Sequence, residues 1–391
     1  MDGHAVESEL TRRVGGGGVR FALATPADDP EVRRLLRENP MPGRVSISLE
    51  REPDARLAAA IEGDVHHTIV ARDVDGGRIV AMGSVSVRDR YLNGQRTRVG
   101  YLGQLRLDRN HRSRMSIVRG GYALLRELHA SVGSPLCFTS IASDNAAARR
   151  LLERGLPGMP TYRPLWELVT IVFRRRRNGE FRKVTSRVRP GLRNTGLSLR
   201  HGSPELISEI HALLNHANAG MQLAPAWTLT ELHSLPPSHL RILSERDRRI
   251  ACAAMWDQRA FKQAVVRGYP TALTLARVPI NLLAPLTRLP RLPAIGHPLA
   301  HAFASHLSTP PDRPDLIEPL LRSLHGSAHT LGIDSFTVGF DARDPRLAIV
   351  RRAFGGLEYR TQLYLVHWPD GATAADAVDR TRIVAPEVAL L

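Results

Sequence analysis

The chain has 391 residues, 43% of them hydrophobic and only 5% aromatic, a length at which two domains are expected rather than one core. Its 54 Lys and Arg against 38 Asp and Glu leave a formal net charge of +16. The two cysteines, Cys137 and Cys252, lie far apart inside apolar runs, which excludes a disulfide framework and offers no metal spacing.

Those cysteines read as buried, reduced thiols in a cytoplasmic protein. No continuous apolar segment reaches the roughly 18–20 residues that span a bilayer, so no transmembrane segment is expected. The opening MDGHAVESELTRRVGGGG lacks an apolar signal-peptide core, and residues 1–18 read as a flexible tail. Lysine occurs only at Lys183 and Lys262, so the positive charge is almost all arginine. That bias reads as overall arginine usage rather than a nucleic-acid surface, and it also suits an acidic cofactor.

Val19–Ala24 alternates like a first strand, and Pro30–Glu38 forms a helix with proline in its first turn. Asn39-Pro40-Met41-Pro42-Gly43 breaks that helix. The polar segment Ser46–Asp54 then carries Glu50 and Glu52, which are candidate bases if not simply solvated surface carboxylates. Strands at His66–Arg72 and Arg78–Arg88 are joined by Asp75-Gly76-Gly77, and Asn93-Gly94 pivots the next turn. The adjacent pair His66-His67 at a strand start reads as structural.

The central stretch is Gly100–Asn145. A strand over Val99–Asp108 runs into Arg109-Asn110-His111-Arg112-Ser113-Arg114, with three arginines in six residues, and then into a long helix. A helix start offers unpaired N–H groups and a positive dipole end, and flanking arginines add charge-assisted donors, so this mouth suits a phosphate. The next strand, Leu136–Ser143, would run parallel to the first because a helical crossover joins them. Ala146–Arg154 is a helix, and Thr161–Phe173 is a late strand.

Residues 174–198 are basic and Pro/Gly-spaced, a linker. Beyond them the order recurs: CFTSIASDN at Cys137 matches SFTVGFDAR at Ser335, and TYRPLWELV at Thr161 matches EYRTQLYLV at Glu358. The second turn, Ser308 to Asp315, has three prolines and two acids, a poor phosphate nest. Any cofactor is therefore expected in the first half. The apolar, proline-broken stretch at 269–299 reads as a packed insertion, with a lid, an oligomer surface or a lipid-facing patch as alternatives. Met255–Gln263 concentrates Trp256, Asp257, Arg259 and Lys262, read as an ion-paired turn or an acceptor contact. Residues 371–391 read as a C-terminal tail.

The strand–turn–helix–strand order of Gly100–Asn145 resembles the core of the GNAT acyltransferases, over roughly Val19–Phe173. The resemblance implies an α/β fold (α+β mixed sheet) of two tandem GNAT-like domains, 19–173 and 199–370. It further implies transfer of an acetyl or short acyl group from acetyl-CoA, or another acyl-CoA, to a primary amine in a ternary complex. Leu105, Arg106 and Leu107 would give main-chain contacts to pantetheine, and Asn145 would face the same arm. Arg112, Ser113, Arg114, Met115 and Ser116 would hold the pyrophosphate. The family fingerprint departs at Met115 and Ile117, where glycines are usual, and at Leu152, where many relatives place an acidic tyrosine. Tyr162 is the substitute acid, with a packed strand tyrosine as the alternative. Tyr101 lies where relatives place a base, with a water relay or Glu50 as alternatives. No metal is implied: the chain has no P-loop, no His-Glu-x-x-His and no Gly-x-Ser-x-Gly elbow. Two other functions stay open, a double-GNAT-fold transferase fed by aminoacyl-tRNA and a non-catalytic CoA- or ligand-binding protein. A peptide or small-molecule acceptor and a homodimer are the expected partners.

Overall fold

The structure is a computed structural model that describes residues 12–14, 18–41, 43, 45–75, 77–112, 114–132, 134, 136–174, 196–246, 248–286 and 291–391. The first half comprises β1 (Arg12–Val14), β2 (Val19–Leu23), α1 (Asp29–Glu38), β3 (Ser46–Glu50), α2 (Ala55–Glu62), β4 (Val65–Asp73), β5 (Ile79–Leu92), β6 (Gln95–Leu107), α3 (Met115–Val132), β7 (Leu136–Ala142), α4 (Ala146–Glu153) and β8 (Thr161–Arg174). The second comprises β9 (Leu197–His201), α5 (Ile207–Ala219), β10 (Ala224–Pro225), α6 (Leu229–His233), β11 (Leu240–Glu245), β12 (Arg248–Trp256), β13 (Gln263–Gly268), α7 (Thr271–Leu283), β14 (His301–Ser308), α8 (Ile317–Thr330), β15 (Ser335–Asp341), α9 (Pro345–Phe354), β16 (Leu357–His367) and α10 (Ala372–Asp376).

One mixed sheet of fourteen strands runs through both halves, in the order β1-β2-β4-β5-β6-β7-β16-β8-β15-β14-β12-β11-β9, with β10 paired to β5. The β5–β6 hairpin turns at Asn93 and Gly94, whose φ values of 54° and 84° are those an Asn-Gly turn supplies. As the crossovers require, β6 lies parallel to β7 and β14 parallel to β15.

The halves trade their last strands. β16 pairs with β7 of the first half, and β8 pairs with β15 of the second. Tyr364 and Val366 of β16 are therefore buried with Val85, Leu124 and Cys137 in the first core. Val169, Ile171 and Phe173 of β8 are buried with Leu320, Phe336 and Val350 in the second. Full burial of side chains this size stabilises by about 1.5–3 kcal/mol each, so neither half closes its core without the other's strand.

Two stretches expected to be tails differ from that reading. Arg12–Val14 pairs antiparallel with β2, although residues 1–11 and 15–17 lie outside the described residues. Val384, Ala389 and Leu390 are buried, and Nη1 of the fully buried Arg90 donates to the Pro386 carbonyl at 2.8 Å. The C-terminal stretch is thus anchored in the core, with Ala375, Val378 and Val384 buried against the sheet and Leu390 against Ile207, Ile210 and Leu214 of α5. Most of the 174–198 linker, residues 175–195, lies outside the described residues. Ser46–Glu50 also gains a role not read from its polarity: β3 pairs with β13 in a second, two-stranded sheet that ties the halves together. Among the described residues no helix is long and apolar enough to cross a membrane, and both cysteines are buried free thiols.

Candidate active site

β6 and β7 pair over three positions only, Val99↔Leu136, Gly100↔Cys137 and Tyr101↔Phe138. Beyond these the ladder stops, and a side chain takes its place: Thr139 Oγ1 donates to the Leu102 carbonyl at 2.6 Å. Gln104, two residues on, adopts φ 55°, and the β5–β6 register slips between Met82 and Ser84. This bulge turns β6 away from β7 and leaves a gap between the two parallel strands. Leu105 is exposed along it, Arg106 folds back to donate to the Leu105 carbonyl at 2.9 Å, and Leu107 returns to pair with Ala81.

At the mouth of the gap α3 begins at Met115, half-buried, with Ser116 exposed in its first turn. No acidic residue stands in that turn. Arg112 and Arg114 are exposed beside it, and Arg112 also donates to Asn39 Oδ1 at 3.3 Å. Ser113 lies outside the described residues. On the far side Asn145 caps α4, its Oδ1 accepting the Ala148 N–H at 3.2 Å. The end of the β6–β7 ladder, the start of α3 and the cap of α4 thus all follow on the two parallel strands, and the arginine pair flanks a turn that lacks the fingerprint glycines.

The three expected catalytic groups are not brought together. Tyr101 sits where the pairing ends; its hydroxyl shares a hydrogen bond with Ser140 Oγ at 3.0 Å, and burial raises its pKa above the ordinary phenol value. Tyr162 is packed in the first core with Leu152, hydrogen-bonded to the Tyr122 hydroxyl and edge-on to Tyr364. Burial pushes its pKa well up, the environment of a packed tyrosine. Glu50 is locked on β3 by Ser48 and Arg267, with Arg37 at 3.7 Å, so its carboxylate is spent on ion pairs.

On the other face of the bulge opens a cleft of about 290 Å³, lined among others by Thr25, Arg51, Arg56, His66, Thr68 and Gln104. His66 Nδ1 shares a hydrogen bond with Ser86 Oγ at 2.8 Å and Nε2 one with Thr68 Oγ1 at 3.1 Å. His66, Ser86 and Tyr101 are cross-strand partners in one row of β4, β5 and β6, and so share a face. Burial lowers the His66 pKa to about 4, against the opposing pull of Glu62, so the imidazole is neutral near pH 7.

Behind it lies a charged cluster that sequence reading missed. Glu62 accepts from Arg51 at 2.6 Å and faces Lys262 at 3.4 Å and His66 at 3.9 Å. Burial would raise its pKa, but Arg51 and Lys262 prevail and hold it at about 2. Lys262 also donates to the Ala389 and Leu391 carbonyls at 3.2 and 2.9 Å, linking both halves and the C-terminal segment. Within Met255–Gln263, Asp257 and Arg259 pair with each other at 2.7 Å, the ion-paired turn of the sequence reading. Only the partner of Lys262, Glu62, was hidden, 200 residues away in the same chain.

The second half repeats this geometry with a different outcome. β14 pairs with β15 at three positions, His301↔Ser335, Ala302↔Phe336 and Phe303↔Thr337, and His306 takes φ 50° as Gln104 does. Here the gap is filled. The His306 N–H donates to Glu387 Oε2 at 3.1 Å, its ring stacks on Trp227 with centroids 3.9 Å apart, and Val388 lies directly against Gly339. The remaining cavity is only about 50 Å³.

No protein-family model matches the chain, and no curated protein matches it in sequence. Solved structures do match in fold. Saccharomyces cerevisiae N-myristoyltransferase with bound myristoyl-CoA superposes with a TM-score of 0.56 at 11% identity, covering 94% of this chain and 86% of that one. A GCN5-related N-acetyltransferase from Sphaerobacter thermophilus gives 0.51 at 14% identity, covering 89% and 95%. A GCN5-related glucosamine N-acetyltransferase region of a fungal multi-domain GH3 β-N-acetylglucosaminidase gives 0.55 at 12% identity, covering 90% of this chain and 38% of that one. The fold is the tandem GNAT fold.

Proposed function

We propose that the chain is an acyl-CoA-dependent N-acyltransferase with one working half. The observation that carries this is the interrupted β6–β7 pair: its ladder ends at Tyr101 and Phe138 directly behind an arginine-flanked, acid-free helix start. The gap fits an extended arm, which main-chain groups of Leu105, Arg106 and Leu107 would hold, with Asn145 alongside. The α3 start, with Arg112 and Arg114, would hold a diphosphate by dipole and charge. Acyl-CoA supplies an activated thioester when bound. The second gap, occupied by Glu387 and Val388, takes no such ligand.

An amine acceptor enters the cleft on the opposite face and meets the gap at Gln104. Thr68 and the neutral His66 line that path, and His66 is the group that accepts the acceptor's proton, directly or through the Thr68 hydroxyl. The Tyr101 hydroxyl, kept protonated by burial, is the donor nearest the end of the paired strands. Glu50 and Tyr162 are assigned structural roles.

Calorimetry with acetyl-CoA, longer acyl-CoAs and desulfo-CoA tests the seat, and thiol release with a panel of primary amines tests the chemistry. Expected are one site per chain and turnover that collapses in His66→Gln. Binding without turnover for any amine would leave a CoA-binding protein; no binding of any CoA form would end the proposal.

A further inference from the structure

Within the insertion at 269–299, α7 has no buried residue. The segment is braced within itself, where Asn281 exchanges two hydrogen bonds with Leu292 at 2.8 Å and Tyr269 donates to the Pro293 carbonyl at 2.9 Å, and it is tied to β13 through Gly296, His297 and Leu299. Its outer side is bare. Leu275, Leu282 and Leu286 are 78%, 75% and 85% exposed, and Val278 and Leu283 are exposed beside them. Spaced at 275, 278, 282 and 286, they form one stripe along α7 and the turn after it. A continuous exposed apolar stripe of this kind marks a contact surface.

Charge selects the partner. The described residues of 269–299 include no Asp or Glu and carry two arginines, Arg277 and Arg291, within a chain of net charge +16. Arg291 is exposed in the same segment. A two-fold contact with a second copy would set these arginines against each other with no acid on the segment to pair them. An anionic bilayer satisfies both features at once, the leucines entering the acyl boundary and the arginines meeting lipid phosphates. We propose that α7 and the turn after it dock the protein on an anionic membrane surface, lying in the interface without spanning it.

The test is co-sedimentation of the full chain with vesicles of equimolar phosphatidylglycerol and phosphatidylcholine, and of phosphatidylcholine alone. The protein should sediment with the anionic vesicles only, and less so as salt is raised. Leu282→Asp with Leu286→Asp should weaken partitioning by at least about tenfold at an unchanged melting temperature. Arg291→Glu, at an exposed position, should weaken it several-fold and flatten the salt dependence. Failure to sediment, or variants that bind like the parent, overturns the proposal. So does light scattering that shows a dimer dissolved by the leucine substitutions, or retention on polyglutamate without retention on vesicles.

Discussion

Val388 packs so tightly on Gly339 that a Cβ added to the glycine would lie 2.3 Å from Val388 Cγ1. The glycine is what lets the C-terminal segment enter the gap between β14 and β15. Gly339→Ala should therefore cost about 1–3 kcal/mol by overpacking. Combining it with Val388→Ala should recover most of that loss, a coupling read from urea denaturation of the four proteins in a double-mutant cycle. Additive effects would mean that the segment does not occupy the gap in solution.

In the first half the corresponding gap ends at Arg112 and Arg114, both exposed beside the start of α3. Arg112→Glu with Arg114→Glu replaces two cations with two anions at a proposed diphosphate seat. Acetyl-CoA affinity should fall by at least about thirtyfold, near 2 kcal/mol, while the melting temperature stays put. Calorimetry decides it; unchanged affinity would move the ligand elsewhere.

These two gaps show what a single sequence carries. The strand, basic turn, helix and strand of the first gap were legible because each rests on local signals: alternation, a charged turn, an apolar helical face, a crossover that forces parallel strands. The internal repeat was legible from two short matches for the same reason. The exchange of β8 and β16 was not, since strands of like alternating pattern fit either half and only long-range pairing selects the partner. The β3–β13 pairing joins Ser46–Glu50 to residues more than two hundred positions away, and its polar pattern suggested surface instead. The end of the chain, IVAPEVALL, carried a usable signal in its apolar residues, but position suggested a tail. Lys262 stood out within Met255–Gln263, but its pairing with Glu62 had no signal, because a buried ion pair is a property of packing rather than of spacing.

Glu62 is stabilised as a buried anion by Arg51 and Lys262 together. Lys262→Met removes one cation and two hydrogen bonds to the C-terminal segment. With Arg51 still in place the loss should be about 2–4 kcal/mol, below that of an uncompensated buried charge. Adding Glu62→Gln should recover part of it in urea titrations. A Lys262→Met protein as stable as the parent would contradict the cluster.

Tyr162 and Tyr122 share a hydroxyl–hydroxyl hydrogen bond inside the first core. Tyr162→Phe should cost about 1 kcal/mol of stability and leave acyl turnover within about twofold. A much larger fall in kcat at constant KM would return Tyr162 to the chemistry as the acid.

His66 gives the fold a defined acid sensitivity. Burial holds its folded pKa at about 4, below the ordinary 6.5 of an exposed imidazole. As pH falls the unfolded chain takes up the proton first, so the contribution is complete above about 6.5 and is lost progressively down to about 4. Between pH 7 and pH 5 the loss from this residue should be of the order of 2 kcal/mol. His306, lowered to about 3 by burial with Arg88 adding to the effect, acts in the same direction, so the parent protein should lose more than this. Denaturation of His66→Gln at both pH values isolates the His66 share: the variant should show a shallower decline, and its curve should approach the parent's at the acid end. If the two proteins lose stability in parallel, the fold does not depress the His66 pKa, and the acid sensitivity belongs to other groups.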